Sequence, residues 1–328
     1  TIKKQDILLH YPYQTFDYVI DFLREAAMDP KVTSIKISLY RVAKNSKVVN
    51  ALINAVKNGK SVTVVMELQA RFDEAANIYW SNILRDEGVR VIHGVPGLKV
   101  HAKMILVTRQ TKKGISLFAN LGTGNYNEST AKIYSDHALF TADRRLTREV
   151  EKVFEFLEKN YKRETFRHLL VSPFNIRQRL VKLINSEIKN ANKGKPAYII
   201  AKLNNLTDPK LIKKLYEAGQ VGVKIHLMVR SMFSLIPGEE NVSENIDAIS
   251  IVDKFLEHSR FFVFCNGGEN KYYLTSADWM PRNLDNRVEV TFPIYDPSIQ
   301  QEIKEFINIQ WQDNVKARIL NPTLDNQY

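Results

Sequence analysis

Hydrophobic residues recur along this chain at two spacings, one typical of helices and one typical of strands. Residues 15–28 carry apolar side chains at helical spacing, whereas 31–40 is β-rich and partly alternating. Helical spacing returns over 46–60, where an Asn-Gly pair predicts the helix end, and an apolar run at 61–68 predicts a buried strand. This β-α-β order predicts a mixed or parallel sheet with helices on its faces.

The same spacings continue through both halves of the chain. Later elements of the first half are a helix over 77–88, strands over 89–94, 100–108 and 114–122, and a helix over about 143–160. The second half repeats the order, with strands over 195–203, 223–230, 260–265 and 271–277 and helices over 208–219 and about 297–312. The tail, 317–328, is rich in Asn, Asp and Gln, and we expect it to be loosely held.

Three polar landmarks recur at a nearly constant offset, which indicates an internal repeat. Two like units that pack about a pseudo-twofold axis would bring these landmarks face to face. The repeat and a helical stretch between the units predict two domains, 1–168 and 169–328. The pairs are Arg71 with Arg230, 159 residues apart, His101 with His258, 157 apart, and Asn125 with Asn283, 158 apart.

The net charge changes the picture of the partner. Lys and Arg number 47 against 36 Asp and Glu, a formal charge of +11. Such an excess predicts a polyanionic partner: nucleic acid, anionic lipid, nucleotide or polyphosphate. A single cysteine, Cys265, precludes an intrachain disulfide and a thiolate zinc site. No apolar run of about 18 residues occurs. We therefore expect a cytoplasmic protein, with peripheral contact to a membrane left open.

Each landmark histidine precedes a cation by two residues. Lys103 follows His101 in His-Ala-Lys, and Arg260 follows His258 in His-Ser-Arg. A histidine nitrogen can attack phosphorus when an acceptor holds its other nitrogen, and a second histidine can serve as acid or base. Lys and Arg stabilise the charge on phosphoryl oxygens. We therefore predict His101, His258 and Lys103 as catalytic residues of a phosphoryl-transfer site.

The His-x-Lys motif with a later Gly-Thr-Gly-Asn stretch resembles the phospholipase D superfamily, which forms one site from two such motifs and uses a phosphohistidine intermediate. The resemblance implies an α/β fold of two tandem phospholipase D-like domains, each a mixed sheet flanked by helices, related by a pseudo-twofold. That superfamily has an Asp five residues after the cation, where Thr108 and Cys265 stand here. This departure disfavours hydrolysis of lipid or nucleic-acid phosphodiesters.

Longer strings are much closer to the polyphosphate kinase family. They are HYPYQTF (10–16), SLYRVAKNSKVVNALINA (38–55), ELQARFDEAANI (67–78), GVPGLKVHAKM (94–104), NLGTGNYNESTAKIYSD (120–136) and TSADWMPRN (275–283). The chain is similar to the C-terminal catalytic half of that family over essentially its whole length. This resemblance implies ATP and ADP as nucleotides, Mg²⁺ as cofactor, inorganic polyphosphate as partner, no specific nucleic acid, and a homo-oligomer in the longer protein.

The resemblance also implies roles for individual residues. His101 would be the phosphorylated nucleophile, His258 and Arg230 would contact the nucleotide phosphates, and Tyr134 would lie against the adenine. The further phosphate-binding candidates are Arg41, Arg71, Asn125, Arg260 and Asn283.

Arg41 and Arg71 correspond to the family's magnesium positions. A guanidinium does not ligate Mg²⁺, which prefers oxygen, so we expect these arginines to hold the phosphates that carry the metal.

The reaction implied by the resemblance is reversible. His101 attacks the γ-phosphorus of ATP, ADP leaves, and the end of a polyphosphate chain takes the phosphoryl group. Two alternatives stay open from the residues alone. One is a phospholipase D-like phosphodiesterase or nuclease that needs no nucleotide. The other is a catalytically incomplete fragment that binds polyphosphate without turnover.

Overall fold

Two mixed β-sheets, each flanked by helices, organise the chain in the computed structural model, which describes residues 2–68, 74–112, 114–161 and 164–328. This arrangement confirms the predicted α/β fold. The elements of the first half are β1 (Ile7–Tyr11), α1 (Asp17–Met28), β2 (Val32–Leu39), α2 (Lys47–Lys57), β3 (Ser61–Met66), α3 (Glu74–Asp86), β4 (Arg90–Ile92), β5 (Lys99–Val100), β6 (Lys103–Thr111), β7 (Gly114–Gly122), β8 (Tyr134–Thr141) and α4 (Arg144–Glu158).

The second half repeats this succession of strands and helices. Its elements are β9 (Leu170–Ser172), α5 (Ile176–Ala191), β10 (Tyr198–Leu203), α6 (Pro209–Gln220), β11 (Lys224–Val229), β12 (Ile246–Ile251), β13 (Leu256–Glu257), β14 (Phe261–Phe264), β15 (Lys271–Thr275), α7 (Pro281–Asp285), β16 (Arg287–Ile294), α8 (Pro297–Trp311) and β17 (Ala317–Leu320).

Helix starts follow from local capping chemistry. The Ser46 hydroxyl accepts the Val49 amide at the start of α2, and the Asp208 carboxylate accepts the Leu211 amide at the start of α6. These side chains satisfy amide groups that have no partner within the helix. Pro209 follows its cap in the first turn, where the missing N–H of proline costs nothing.

The two sheets have matching topologies. The first runs β1-β8-β7-β6-β2-β3-β4, with β2, β3 and β4 parallel and the other pairs antiparallel. The second contains the equivalent order, with β10, β11 and β12 parallel and β9 antiparallel to β16. Each sheet also receives one two-residue strand from the other half, because β13 pairs with β8 and β5 pairs with β16. The halves therefore exchange strands symmetrically.

Three hydrophobic cores follow from this layering. One packs α1 and α2 against the first sheet, and another packs α5 and α6 against the second. The third joins both halves through α4 and α8, with Phe154, Phe292 and Ile303 buried in it. Burying a side chain of this size contributes about 1.5–3 kcal/mol, so the shared core holds the two halves together. None of the helices in the described part of the chain is long and apolar enough to span a bilayer.

Two local predictions differ from the structure. The strand predicted over 100–108 is interrupted at His101 and Ala102, which separate β5 from β6. This interruption occurs because β5 pairs with the other half, whereas β6 returns to its own sheet. The expectation of a loosely held tail is wrong for Ala317–Leu320, which forms β17 and pairs antiparallel with β12. The domain boundary at 168/169 stays a prediction; it lies between α4 and β9.

Candidate active site

Both candidate histidines directly follow the exchanged strands. The carbonyl oxygen of Val288 accepts the amide of His101 at 3.0 Å and the next amide at 2.9 Å. In the same way, the carbonyl oxygen of Ser135 accepts the amide of His258 at 3.1 Å and the next amide at 2.7 Å. The backbone therefore presents the two histidines equivalently, each anchored by the opposite half.

A carboxylate from the opposite half holds each imidazole. His101 Nδ1 lies 2.9 Å from both carboxylate oxygens of Glu289, and His258 Nδ1 lies 2.8 and 2.9 Å from those of Asp136. Because a carboxylate accepts, the proton sits on Nδ1 and the lone pair on Nε2. None of the described residues hydrogen-bonds to either Nε2. Each histidine thus keeps the tautomer that a nucleophile or a general base requires.

The two carboxylates are themselves fixed by buried donors. The Ser276 hydroxyl donates to Glu289 at 2.5 Å and the Asn283 amide donates at 2.6 Å, while the Thr123 hydroxyl donates to Asp136 at 2.7 Å. Asn283 is 1% exposed, and its contact with Glu289 places it behind His101. The predicted contact of Asn283 with phosphate stays a prediction.

Gly124 explains why the Gly-Thr-Gly stretch lies beside the second carboxylate. A Cβ at this position would lie 2.2 Å from Asp136 Oδ2, far inside the contact distance of any real side chain. Only glycine lets the loop after β7 approach the carboxylate this closely. The neighbouring Asn125 has a buried side-chain oxygen that hydrogen-bonds to none of the described residues.

Three predicted cations line the same region. Lys103 is 3% exposed; its ammonium donates to the carbonyl oxygen of His101. Arg260 pairs with Asp278 at 2.9 Å and donates to the carbonyl oxygen of His258 at 3.2 Å. Arg230 donates to Asn204 Oδ1 at 3.0 Å and to a backbone carbonyl at 2.8 Å. Their backbone and side-chain contacts fix these cations around both histidines.

Burial and neighbouring cations set the charge of the histidines. Burial lowers the pKa of His101 well below its usual value, and Lys103, Arg287 and Arg260 lower this pKa further. Burial also lowers the pKa of His258, although its pairing with Asp136 opposes this shift. Both imidazoles are therefore neutral at neutral pH, and their Nε2 lone pairs are available for chemistry.

The buried charged partners respond differently. Burial raises the pKa of Glu289, although Lys103 and Arg287 oppose this shift. Burial would raise the pKa of Asp136 too, but His258, Thr123 and Arg260 outweigh burial and lower it. Asp136 is thus firmly ionised, whereas Glu289 holds its charge less firmly.

The remaining predicted residues lie at different distances from the histidines. The Tyr134 ring lies 5.2 Å from the His258 ring, measured between centroids. The Arg41 guanidinium lies 6.0 Å from the centroid of Tyr40, whose ring packs edge-on against His101 at 4.9 Å. Arg71 lies outside the described residues. The structure therefore brings the two histidines, Lys103, Arg230, Arg260 and Tyr134 together, with Arg41 adjoining them.

The site contains no protein-built metal centre within residues 2–68, 74–112, 114–161 and 164–328, where no three His, Cys, Asp or Glu side chains cluster suitably. The polar groups nearest the histidines are cations and two carboxylates that bind imidazole. Mg²⁺ takes oxygen ligands, so these residues do not fit a resident metal.

Sequence reasoning missed the carboxylates Asp136 and Glu289. They lie 153 residues apart, each at the third position of its strand, so the repeat contained a signal for them. The signal was weak because the residue types differ and because each acid serves the histidine of the other half. The superfamily spacing, with an acid five residues after Lys103 or Arg260, points to Thr108 and Cys265 and not to these two carboxylates.

The comparisons with known proteins agree with this geometry. The family models for polyphosphate kinase C-terminal domain 1 and C-terminal domain 2 match residues 1–163 and 169–328. Polyphosphate kinase of Vibrio vulnificus (strain CMCP6) is 53% identical over 327 residues, covering 100% of this chain and 47% of that protein. The enzyme of Escherichia coli (strain K12) is 51% identical over 327 residues, covering 100% and 48%. The chain spans about half the length of these relatives.

Solved structures show the same relationship. The crystal structure of polyphosphate kinase from Porphyromonas gingivalis matches with a TM-score of 0.93 and 42% identity, covering 100% of this chain and 50% of that one. Phosphatidylserine synthase from Haemophilus influenzae Rd KW20 matches with a TM-score of 0.63 and 12% identity, covering 99% and 89%, a likeness in fold alone. The predicted α/β fold with two like halves, each a mixed sheet flanked by helices, is confirmed. This chain belongs to the polyphosphate kinase family, of which it carries C-terminal domains 1 and 2.

Proposed function

We propose that this chain catalyses the reversible transfer of the γ-phosphoryl group of ATP to the end of an inorganic polyphosphate chain, through a phosphohistidine on His101. One observation carries the proposal. Glu289 holds Nδ1 of a neutral, buried His101 and leaves Nε2 as the nucleophilic nitrogen among cations. The membership in the polyphosphate kinase family agrees with this assignment.

The two half-reactions use the same nitrogen. In the first, His101 Nε2 forms a bond to the γ-phosphorus, and the bond to the bridging oxygen breaks, so ADP leaves with that oxygen. In the second, a terminal phosphate oxygen of polyphosphate attacks the phosphorus, and the nitrogen–phosphorus bond breaks. His101 returns to its neutral form, and the polymer is longer by one unit.

The surrounding cations would stabilise the negative charge of the phosphoryl group during transfer. Lys103 is buried beside His101, and Arg260 is fixed by Asp278, whose pKa Arg260 lowers to about 2 against the opposing effect of burial. Burial lowers the pKa of Lys103 well below its usual value, although Glu289 opposes this shift, and phosphoryl oxygens beside the amine would favour its charged form. Preorganised cations stabilise the charge that spreads over the phosphoryl oxygens and need no reorganisation during transfer. This arrangement supports Lys103 and Arg260 as the groups that stabilise the transition state.

The nucleotide would lie toward the second histidine. We propose that His258 and Arg230 contact its phosphates and that Tyr134 contacts the adenine. The position of the Tyr134 ring beside the His258 ring and the fixed guanidinium of Arg230 support this proposal. We propose phosphate contact by Asn125 and Arg41 as well. Mg²⁺ prefers oxygen ligands, and we propose that it is carried by the nucleotide as part of the substrate. Arg41 and Arg71 would then hold the phosphates of the nucleotide.

Two properties of the whole protein also stay proposals. The matching relatives are about twice as long as this chain. We propose that the longer protein forms a homo-oligomer, as the resemblance to the family implies. A cytoplasmic protein with a net charge of +11 would bind polyphosphate and the anionic surface of a membrane more weakly as salt rises.

The test is phosphorylation of the chain by γ-labelled ATP with Mg²⁺, followed by acid treatment. We expect an acid-labile label that His101→Ala abolishes and that passes to added polyphosphate. The matched control is His226→Ala, a partly buried histidine on β11 that stacks on Trp311 away from the site. A label that survives His101→Ala but is lost in His258→Ala would reverse the assignment. No label on a folded wild-type chain would reject catalysis by these two domains alone.

A further inference from the structure

The segments that carry the two histidines share a backbone but differ in side chains. Beside His101, the residue after the histidine is Ala102, and the strand that anchors it contributes Val288 and Val290. Polar residues occupy the equivalent positions beside His258. Ser259 follows the histidine, and the anchoring strand contributes Ser135 and His137. At these three positions the first segment therefore has apolar side chains, whereas the second has side chains that can form hydrogen bonds.

Those polar residues make specific contacts. His137 Nδ1 lies 2.6 Å from the Ser259 hydroxyl, and His10 Nε2 lies 2.9 Å from the Ser135 hydroxyl. The two imidazoles stack with centroids 4.2 Å apart and planes 8° apart, and Phe306 packs edge-on against both. The stacked histidine pair thus supports Ser259, which follows His258, and Ser135, whose carbonyl oxygen accepts the His258 amide.

Strand geometry places this support opposite the carboxylate. Side chains alternate between the two faces of β8, so Ser135 and His137 share one face and Asp136 occupies the other. Asp136 holds the imidazole of His258, while His137 holds the hydroxyl of the next residue. The segment is therefore fixed from both faces of the strand.

The support adds no charge. Burial lowers the pKa of His10 to about 4 and lowers the pKa of His137 well below its usual value, so both are neutral at neutral pH. The adjacent buried charges are already matched, because Lys202 pairs with Glu257, the residue before His258. Neutral imidazoles satisfy the hydroxyls without a further buried charge, which would be costly.

We propose that His10 and His137 are positioning residues for His258, holding its segment through Ser135 and Ser259 so that the imidazole meets the nucleotide phosphates in one orientation. The proposal rests on the nucleotide-binding role proposed for His258. The equivalent positions beside His101 are Ala102, Val288 and Val290, whose side chains form no hydrogen bonds, so the pair makes the two halves of the site functionally unequal.

The experiment converts the second segment to the apolar pattern of the first with the double variant His137→Val/Ser259→Ala. We expect the ATP concentration for half-maximal phosphorylation to rise about tenfold, as for loss of a positioned hydrogen bond, while labelling at saturating ATP stays within about twofold. His137→Asn, which can reproduce a bond near Nδ1, should recover most of the affinity. His226→Val is the matched control and should match wild type.

Histidine-selective NMR provides a readout that requires no turnover. The His258 imidazole signals should shift or broaden in the double variant and return in His137→Asn, even if the wild-type chain forms no phosphohistidine. Failure of the kinase proposal is thus distinguishable from failure of this one. If the wild-type chain is labelled, an ATP affinity of the double variant equal to that of the wild type overturns the positioning role. Unchanged His258 signals in the double variant also overturn it. Equal impairment in His137→Asn and in the double variant does so too.

Discussion

At the scale of single residues, the carboxylate behind an imidazole decides which nitrogen reacts. Glu289 accepts a hydrogen bond from Nδ1–H of His101 and is oriented by Ser276 and Asn283. An ionised carboxylate can only accept hydrogen bonds, so Nδ1 must carry the proton. This excludes the tautomer with the proton on Nε2. The position of the acid therefore determines the nucleophile.

Glu289→Gln should slow phosphohistidine formation by about 10² to 10⁴-fold, since an amide can donate to Nδ1 and so favour the unreactive tautomer. Rapid-quench labelling with γ-labelled ATP measures the rate. Glu302→Gln, an exposed substitution on α8, serves as the control. A wild-type rate in Glu289→Gln would show that this acid does not set the tautomer of His101.

Gly124→Ala should disturb the second histidine through its carboxylate. The added Cβ would lie 2.2 Å from Asp136 Oδ2, so the carboxylate must move and His258 loses its partner. We expect ATP affinity to fall about tenfold or more, measured by titration calorimetry on the folded variant. The comparison is Gly219→Ala, where Ile246 at 3.2 Å must yield slightly, far from the site. Unchanged ATP affinity in Gly124→Ala would contradict the role of Asp136.

At the scale of elements, the break between β5 and β6 determines where His101 lies. The Ser38 hydroxyl, on β2, donates to the carbonyl oxygen of Ala102 at 2.7 Å and accepts the amide of Met104 at 3.0 Å. The Ser38 side chain thus links Ala102 to Met104 at the start of β6. Just before this link, the backbone of His101 bonds to the second sheet. The two bonds of Ser38 replace sheet bonds that the break removes.

Ser38→Ala should lower the free energy of unfolding by about 1–3 kcal/mol, because it leaves two buried backbone groups without partners. Urea denaturation measures the change. Ser34→Ala on the same strand is partly exposed and should change stability by less than about 0.5 kcal/mol. Equal effects of the two variants would mean that the Ser38 bonds do not stabilise the break.

At the scale of the whole molecule, buried neutral histidines tie stability to pH. Burial lowers the pKa values of His10, His101, His137 and His258. Below about pH 6.5 the unfolded chain binds protons that the folded chain does not, so the free energy of unfolding falls as pH falls toward about 4. His93 and His226, whose pKa values burial also lowers, act in the same direction. Asp6, Glu187, Glu289 and Glu302, whose pKa values burial raises, act with the opposite sign, so among the described residues six histidines oppose four carboxyl groups.

Urea denaturation at about pH 7, 6 and 5 should therefore show decreasing stability. The variant His10→Gln removes one of the titrating groups and should flatten this dependence. A free energy of unfolding that stays constant between about pH 7 and 5 would contradict the neutral state of these histidines.

Local patterns in the sequence were enough to predict much of this protein. Hydrophobic spacing predicted most helices and central strands within a few residues, since periodicity reflects which face an element buries. The near-constant offset predicted two like halves, which the two sheets confirm. The cations after His101 and His258 indicated a phosphate-handling site, which stays a prediction. The strings quoted above were sufficient for the family, which the comparisons confirm.

Only the tertiary structure decided how the site is assembled. Glu289 lies 188 residues from His101, and Asp136 lies 122 from His258, so no local pattern links either pair. The link arises because β5 and β13 each leave their own half and pair with the last long strand of the other. The pairing of β17 with β12 is equally nonlocal. The sequence determines the chemistry of each side chain. Which partner a side chain meets depends on strand pairing, which is stabilised by the fold as a whole.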